Sequence, residues 1–209
     1  MIVEKTLCFL LLLSLFLNVE VSAYLKPPKS NKVLSARWLI SSVNWGVLGT
    51  TRGNGEVFTN VVSLSDGIGS QLERKNATGI PFFYLTKLDE TARDLTHHSV
   101  ASLTVSEKSA DVDGRCGATD AEDPPCARLT LRGKVRPVLS TKRRQFARSA
   151  LFSKHPAMKQ WEHAHEFDFY EMEIEEIFFL NNYGGASPIS VHEYLGAKLS
   201  NKMDTVAKE

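Results

Sequence analysis

The sequence predicts an α+β fold in which mainly antiparallel strands close, or nearly close, into a barrel with helices at its periphery. Three observations lead there. Six or more short segments carry apolar residues at strand spacing, turn and loop residues separate them at hairpin distances, and three or four segments with helical spacing interrupt the series. Closure follows because it removes the exposed edges that an open sheet of this kind would keep.

The first residues stand outside that fold. "LCFLLLLSLFL", residues 7–17, is an apolar run preceded by Lys5 and followed by Val21-Ser22-Ala23, the pattern of a signal peptide over residues 1–23, cleaved after Ala23. The run is too short for the ~20 residues that a membrane span requires, so no transmembrane segment is expected. Residues 24–209 contain no low-complexity linker and no internal repeat, and read as a single domain. With 25 basic against 24 acidic side chains, the composition excludes a dominant nucleic-acid groove, and no nucleic acid is expected as a partner.

Of three cysteines, Cys8 leaves with the leader. Cys116 and Cys126 remain, at the ends of "CGATDAEDPPC", and in an oxidising compartment such a pair reads as a disulfide. A metal site would need further ligands at regular spacing, so none is expected. Asn76-Ala77-Thr78 is the one Asn-x-Ser/Thr sequon, set in a polar stretch between apolar runs, and marks Asn76 as an N-glycosylation site.

The elements follow in order. Val33, Ala36, Leu39, Ile40 and Val43 recur at helical spacing over residues 32–44, with Ser30 or Asn31 as cap. Residues 46–51 form a strand, Asn54-Gly55 a hairpin turn in which both residues tolerate positive φ, and residues 57–65 the returning antiparallel strand. "PFFYLT", residues 81–86, is an aromatic-rich strand. A helix over 88–98 follows, with Asp89 as cap and Ala92 and Leu95 facing inward.

Alternation in residues 100–107, and again in "ARLTLRGKV", predicts a long hairpin across the bridged loop. Leu129, Leu131, Gly133 and Val135 share one face of its second strand. Ser140 caps a helix to about Ser153, with Phe146, Ala150 and Leu151 buried, and His155-Pro156 stops it. Strands over 167–174 and 177–181 and a helix over 190–199 complete the chain.

Candidate chemistry is sparse. "VVSLSDGIG", residues 61–69, has no glycine ahead of either serine, so it is not a nucleophile elbow. Its glycines are all downstream with no lysine close behind, which is poor for a phosphate cradle. His97-His98 and His163-Ala164-His165 lack a third metal ligand with supporting groups and read as surface histidines. "KRRQFAR", residues 142–148, reads as a solvated helix face. Basic charge in a first turn opposes the helix dipole and points to an acidic neighbour. No catalytic residue is expected.

"ARWLISSVNWGVLGT", "VVSLSDG", "IPFFYLTKLDETARD", "LFSKHPAMKQW" and "FFLNNYGGASPISVHEYL", in that order, resemble the CREG family, secreted glycoproteins named as cellular repressors of viral-oncoprotein-stimulated genes. The resemblance covers residues 36–195 and implies the FMN-binding split β-barrel typified by pyridoxamine-phosphate oxidases. In flavin-using relatives, a basic residue at each end of the strand matching residues 60–65, and a basic cluster at the next helix start, hold the flavin phosphate. Here those positions read Asn60, Ser63, Ser65, Thr91 and Arg93, leaving one clear cation, whereas phosphate recognition normally uses charge-assisted bonds from Arg or Lys.

The resemblance therefore implies a secreted or endolysosomal lumenal glycoprotein, homodimeric, without tight FMN binding or turnover, acting through protein or receptor contacts. A carbohydrate- or receptor-binding module with the glycan as handle differs only in partner. The alternative is a flavin-dependent oxidoreductase that retains FMN through Arg93 and the hydroxyls of Ser63, Ser65 and Thr91.

Overall fold

The computed structural model describes residues 24, 26–69, 76–110, 116, 118–163 and 165–199; the signal peptide expected over residues 1–23 lies outside them. Strands β1 (Trp45–Thr51), β2 (Val57–Ser63), β3 (Phe82–Thr86), β4 (Val100–Ser106), β5 (Arg128–Pro137), β6 (Phe167–Leu180) and β7 (Ser187–Pro188) form one sheet. Its order is β2-β1-β4-β5-β6-β3, with β7 on β6, and every pairing is antiparallel. The two ends of that path meet beyond β2 at the isolated bridge between Ser65 and Phe82. Phe82 N donates to Ser65 O at 2.8 Å, and Ser65 N to Phe82 O at 3.2 Å. The sheet is a barrel with a narrow seam.

Helices α1 (Lys32–Ser42), α2 (Glu90–His97), α3 (Thr141–Lys154) and α4 (Val191–Gly196) lie around it. Local chemistry explains their starts. Asn31 accepts from Leu34 N at 3.1 Å and Asp89 from Thr91 N at 2.8 Å, each satisfying a first-turn amide that has no helical partner. Ser140 precedes α3 as expected but makes no side-chain capping bond.

Several boundaries differ from the sequence expectation, each for a local reason. The strand expected over 57–65 leaves the regular ladder after Ser63, and Ser65 crosses the seam to Phe82. The two strands expected over 167–174 and 177–181 are one, because a bulge between Arg132 and Gly133 lets β6 carry an extra residue past β5. Gly133 is required there, since a Cβ would lie 2.0 Å from Glu173 O. In the first hairpin only Gly55 has positive φ, +88°, with Gly55 N donating to Arg52 O at 2.9 Å. Asn54 instead accepts from Glu56 N at 3.1 Å. The helix expected over 190–199 closes at Gly196, and a 3-10 helix, Pro156–His163, follows α3.

Leu48, Leu103, Leu131 and Ile177 meet in successive register and line the barrel interior, which α1 covers with Ala36, Leu39 and Ile40. A second core lies where α3 packs on the outside of β3 and β6, built from Phe82, Tyr84, Leu151, Phe152, Met158 and Phe169. The basic run keeps its charges at the surface, as expected of a solvated face, and lays its guanidinium groups over the rim of this second core. Arg143 lies over the Phe82 ring at 4.5 Å and pairs with Glu171 at 2.7 Å; Arg148 lies over Phe152 at 4.7 Å. Arg144 pairs with Asp168. The acidic neighbours that the dipole argument asked for are on β6.

Candidate functional site

At one end of the barrel, α2 is docked on β1 and β2 by polar groups. Asn60 on β2 points into the row of Leu48, and its amide donates to both carboxylate oxygens of Asp89, at 3.1 and 3.0 Å, and to Thr91 Oγ1 at 3.2 Å. Thr50 donates to the buried Asp94 carboxylate at 2.6 Å. Thr91 and Asp94 are buried, so the contacts that seat the helix are shielded from water. Asn60 and Thr91, separated by 31 residues, are thus brought together, with a carboxylate between them.

The other singled-out residues are not part of this group. Ser63 is on the opposite face of β2 and is half-buried. Ser65 is 1% exposed and donates to Gly67 O at 2.8 Å, which holds the turn after the seam. Arg93 is exposed and paired with Glu90, one turn back on α2.

Ser63 and Asp89 share a surface cavity of about 260 Å³ with Val61, Tyr84, Trp161 and Phe167. Its wall is aromatic. Tyr84 stacks on Phe167 at 4.8 Å between centroids, and Trp161 is tilted on Phe167 at 5.5 Å. Burial pushes the Tyr84 phenol above its ordinary pKa; Arg148 opposes that shift and Asp168 adds to it.

"DGIG" has a different role from either one weighed for it. Asp66 is fully buried and accepts from Gly79 N at 3.1 Å, while its carbonyl accepts from both Thr78 N and Thr78 Oγ1 at 2.8 Å. Across from it, Arg37 of α1 is 2% exposed and donates to Thr78 O at 2.6 Å, Ala77 O at 2.7 Å and Tyr194 O at 3.3 Å. Its guanidinium also lies 5.3 Å from the Tyr194 ring centre. Tyr194 donates to Gly79 O at 2.9 Å, and full burial drives its phenol pKa far up. These groups clamp the sequon loop. Asn76 stays exposed with φ of +56°, a left-handed conformation that asparagine tolerates. Sequence reading missed both Arg37 and Asp66; a charged residue in the apolar face of α1 and Asp-Gly at a strand end were the available signals.

Cys116 and Cys126 form the disulfide, with Cα atoms 5.2 Å apart. His97, His98 and His165 are exposed; Ala164 and the His163 side chain lie outside the described residues. Among the described residues no group of three or more His, Cys, Asp or Glu is placed to hold a metal ion, and no helix is long and apolar enough to cross a membrane. The outer face of β2, β1 and β4 carries exposed Val57, Val61, Trp45, Val47 and Val100.

A single antiparallel barrel with a narrow seam and flanking helices defines the split-barrel class to which FMN-binding proteins belong. Solved structures share the fold. A heme binding protein from Mycobacterium smegmatis superposes with a TM-score of 0.63 at 20% identity, over 83% of this chain and 62% of that one. ChuZ of Campylobacter jejuni superposes with a TM-score of 0.54 at 17% identity, over 79% of this chain and 61% of that one.

Within that class, residues 27–196 match the family described as "CREG, beta-barrel", and the chain belongs to the CREG family. It is 38% identical to Protein CREG2 of Homo sapiens over 170 residues, 79% of this chain and 56% of that protein. It is 31% identical to Protein CREG1 of Mus musculus over 177 residues, 83% of this chain and 77% of that protein. The chain thus spans little more than half the length of the CREG2 relatives it matches.

Proposed function

We propose that this CREG-family protein is a secreted or endolysosomal lumenal glycoprotein that acts as a homodimer through protein or receptor contacts, without tight FMN binding and without turnover. One observation carries the reading. Where flavin-using relatives place cations around a phosphate, Asn60 and Thr91 surround the Asp89 carboxylate, which itself caps α2. A phosphate entering there would meet a negative charge already holding the helix N-terminus, with Arg93 committed to Glu90. The residues present do not fit a flavin phosphate.

The test is a visible spectrum of the purified protein after incubation with FMN and desalting. Spectra free of flavin absorbance are expected; retained flavin at one equivalent per chain overturns the reading in favour of a flavin-dependent oxidoreductase.

The dimer is supported by the apolar outer face of β1, β2 and β4, where Trp45, Val47 and Val61 lie exposed as contiguous neighbours. Light scattering on the secreted protein is expected to give twice the chain mass, and Val47→Glu to shift it toward the monomer. Passage through the secretory pathway accords with the leader pattern and the Cys116–Cys126 bridge, and glycosylation with the exposure of Asn76. Intact mass before and after glycosidase treatment tests the glycan.

A further inference from the structure

Among its described lining residues the cavity beside Asp89 holds no cation for an anion, and it carries features that favour the opposite sign. Among the described residues lining it, Asp89 is the one charged side chain. Asn60 and the Thr91 amide orient its carboxylate, and their three bonds leave acceptor capacity unused on a group with about four lone-pair sites. The wall opposite is aromatic, with Trp161 39% exposed beside Phe167 and Tyr84. An aromatic face is negative at its centre, so carboxylate and rings attract the same kind of ligand. Arg144 and Arg148, the guanidinium groups that influence Tyr84, lie over Phe169 and Phe152 and do not line the cavity.

We infer that this cavity binds a small organic ammonium ion, with the cation against Trp161 and Phe167 and its charge balanced by Asp89. The inference rests on the reading of this pocket as one that no longer recognises phosphate. Size agrees: about 260 Å³ falls below the roughly 300–1,000 Å³ of sites for drug-sized ligands, which suits an ammonium head of a few heavy atoms better than a flavin nucleotide. Such a head occurs on free amines and on choline lipids, and the chemistry at Asp89 is common to both.

Intrinsic tryptophan fluorescence of the full secreted protein is followed while tetramethylammonium chloride replaces sodium chloride at constant ionic strength, with sodium phosphate and methyl glucoside in parallel. A saturable response to tetramethylammonium alone is expected, and Trp161→Phe abolishes it. Asp89→Asn keeps the helix cap, because asparagine caps as well as aspartate, and is expected to weaken binding by about tenfold or more. Phosphatidylcholine vesicles identify the source: co-sedimentation assigns a lipid headgroup, and its absence a free amine. The inference is overturned if tetramethylammonium gives no saturable response, if phosphate or the glucoside gives one instead, or if Asp89→Asn binds unchanged. Flavin retention in the separate spectrum would overturn the loss of phosphate recognition, whatever the ammonium titration shows.

Discussion

Two polar sites in this molecule use charge in opposite ways. Around Arg37, Asp66 and Tyr194 the charged groups are sealed and spend their hydrogen bonds on backbone carbonyls and amides of the sequon loop. Around Asp89 the charge is half-exposed, tied to Asn60, and opens on a cavity. The first arrangement can hold a loop but cannot meet a ligand. The second gives helix α2 a secure start and still leaves a surface to which something can bind. A buried polar group is therefore poor evidence of function when all its partners are internal.

The contrast can be tested hardest at its sealed end. Arg37→Met would strand the carbonyls of Ala77, Thr78 and Tyr194, and is expected to remove about 3 kcal/mol or more of stability in a urea titration. A loss under 1 kcal/mol would mean that the clamp is wetter than its burial indicates. Gly79→Ala comes next. At φ of +77° the new Cβ would sit 2.4 Å from Arg37 Nη1, and a loss of about 2 kcal/mol is expected from strain and displacement together.

At the open end, Asp89→Asn keeps the cap but turns one acceptor facing the Asn60 amide into a donor, and should cost less than Asp89→Ala, which removes the cap and both acceptors and should cost about 1 kcal/mol or more. Equal losses for the two would show that the charge, not the cap, seats α2. The smallest effect belongs to the exposed outer ladder. Lys134, by hydrogen bond first, holds the Glu175 carboxyl below its ordinary pKa of 4.5. A depressed carboxyl pKa stabilises above the ordinary value and that contribution fades as pH falls through the folded value. Lys134→Ala should lower Tm by a barely measurable amount at pH 7, and the difference should vanish in acid.

Much of the barrel could be read from pattern alone, because alternation in residues 128–135 and the cap at Asp89 are local signals with local causes. The bend in β6 was hidden for a physical reason: Glu175-Glu176 interrupts the apolar pattern like a loop, and only the close approach of Gly133 to Glu173 reveals a bulge. The candidate site was half legible. Asn60 and Thr91 could be named by their place in the family pattern. That Asp89 stands between them depends on a contact across 29 residues, which no window of sequence displays. Arg37 and Thr78, 41 residues apart, escaped for the same reason.

The clamp on the sequon loop also sets an order of events. The hydroxyl of Thr78, which an oligosaccharide-transferring enzyme must read together with Asn76, is turned inward onto Asp66 O at 2.8 Å once the barrel has closed. Under the glycosylation proposed above, the sugar would have to reach Asn76 before that closure. On that reading, glycan occupancy at this asparagine would report how quickly Arg37 finds its loop.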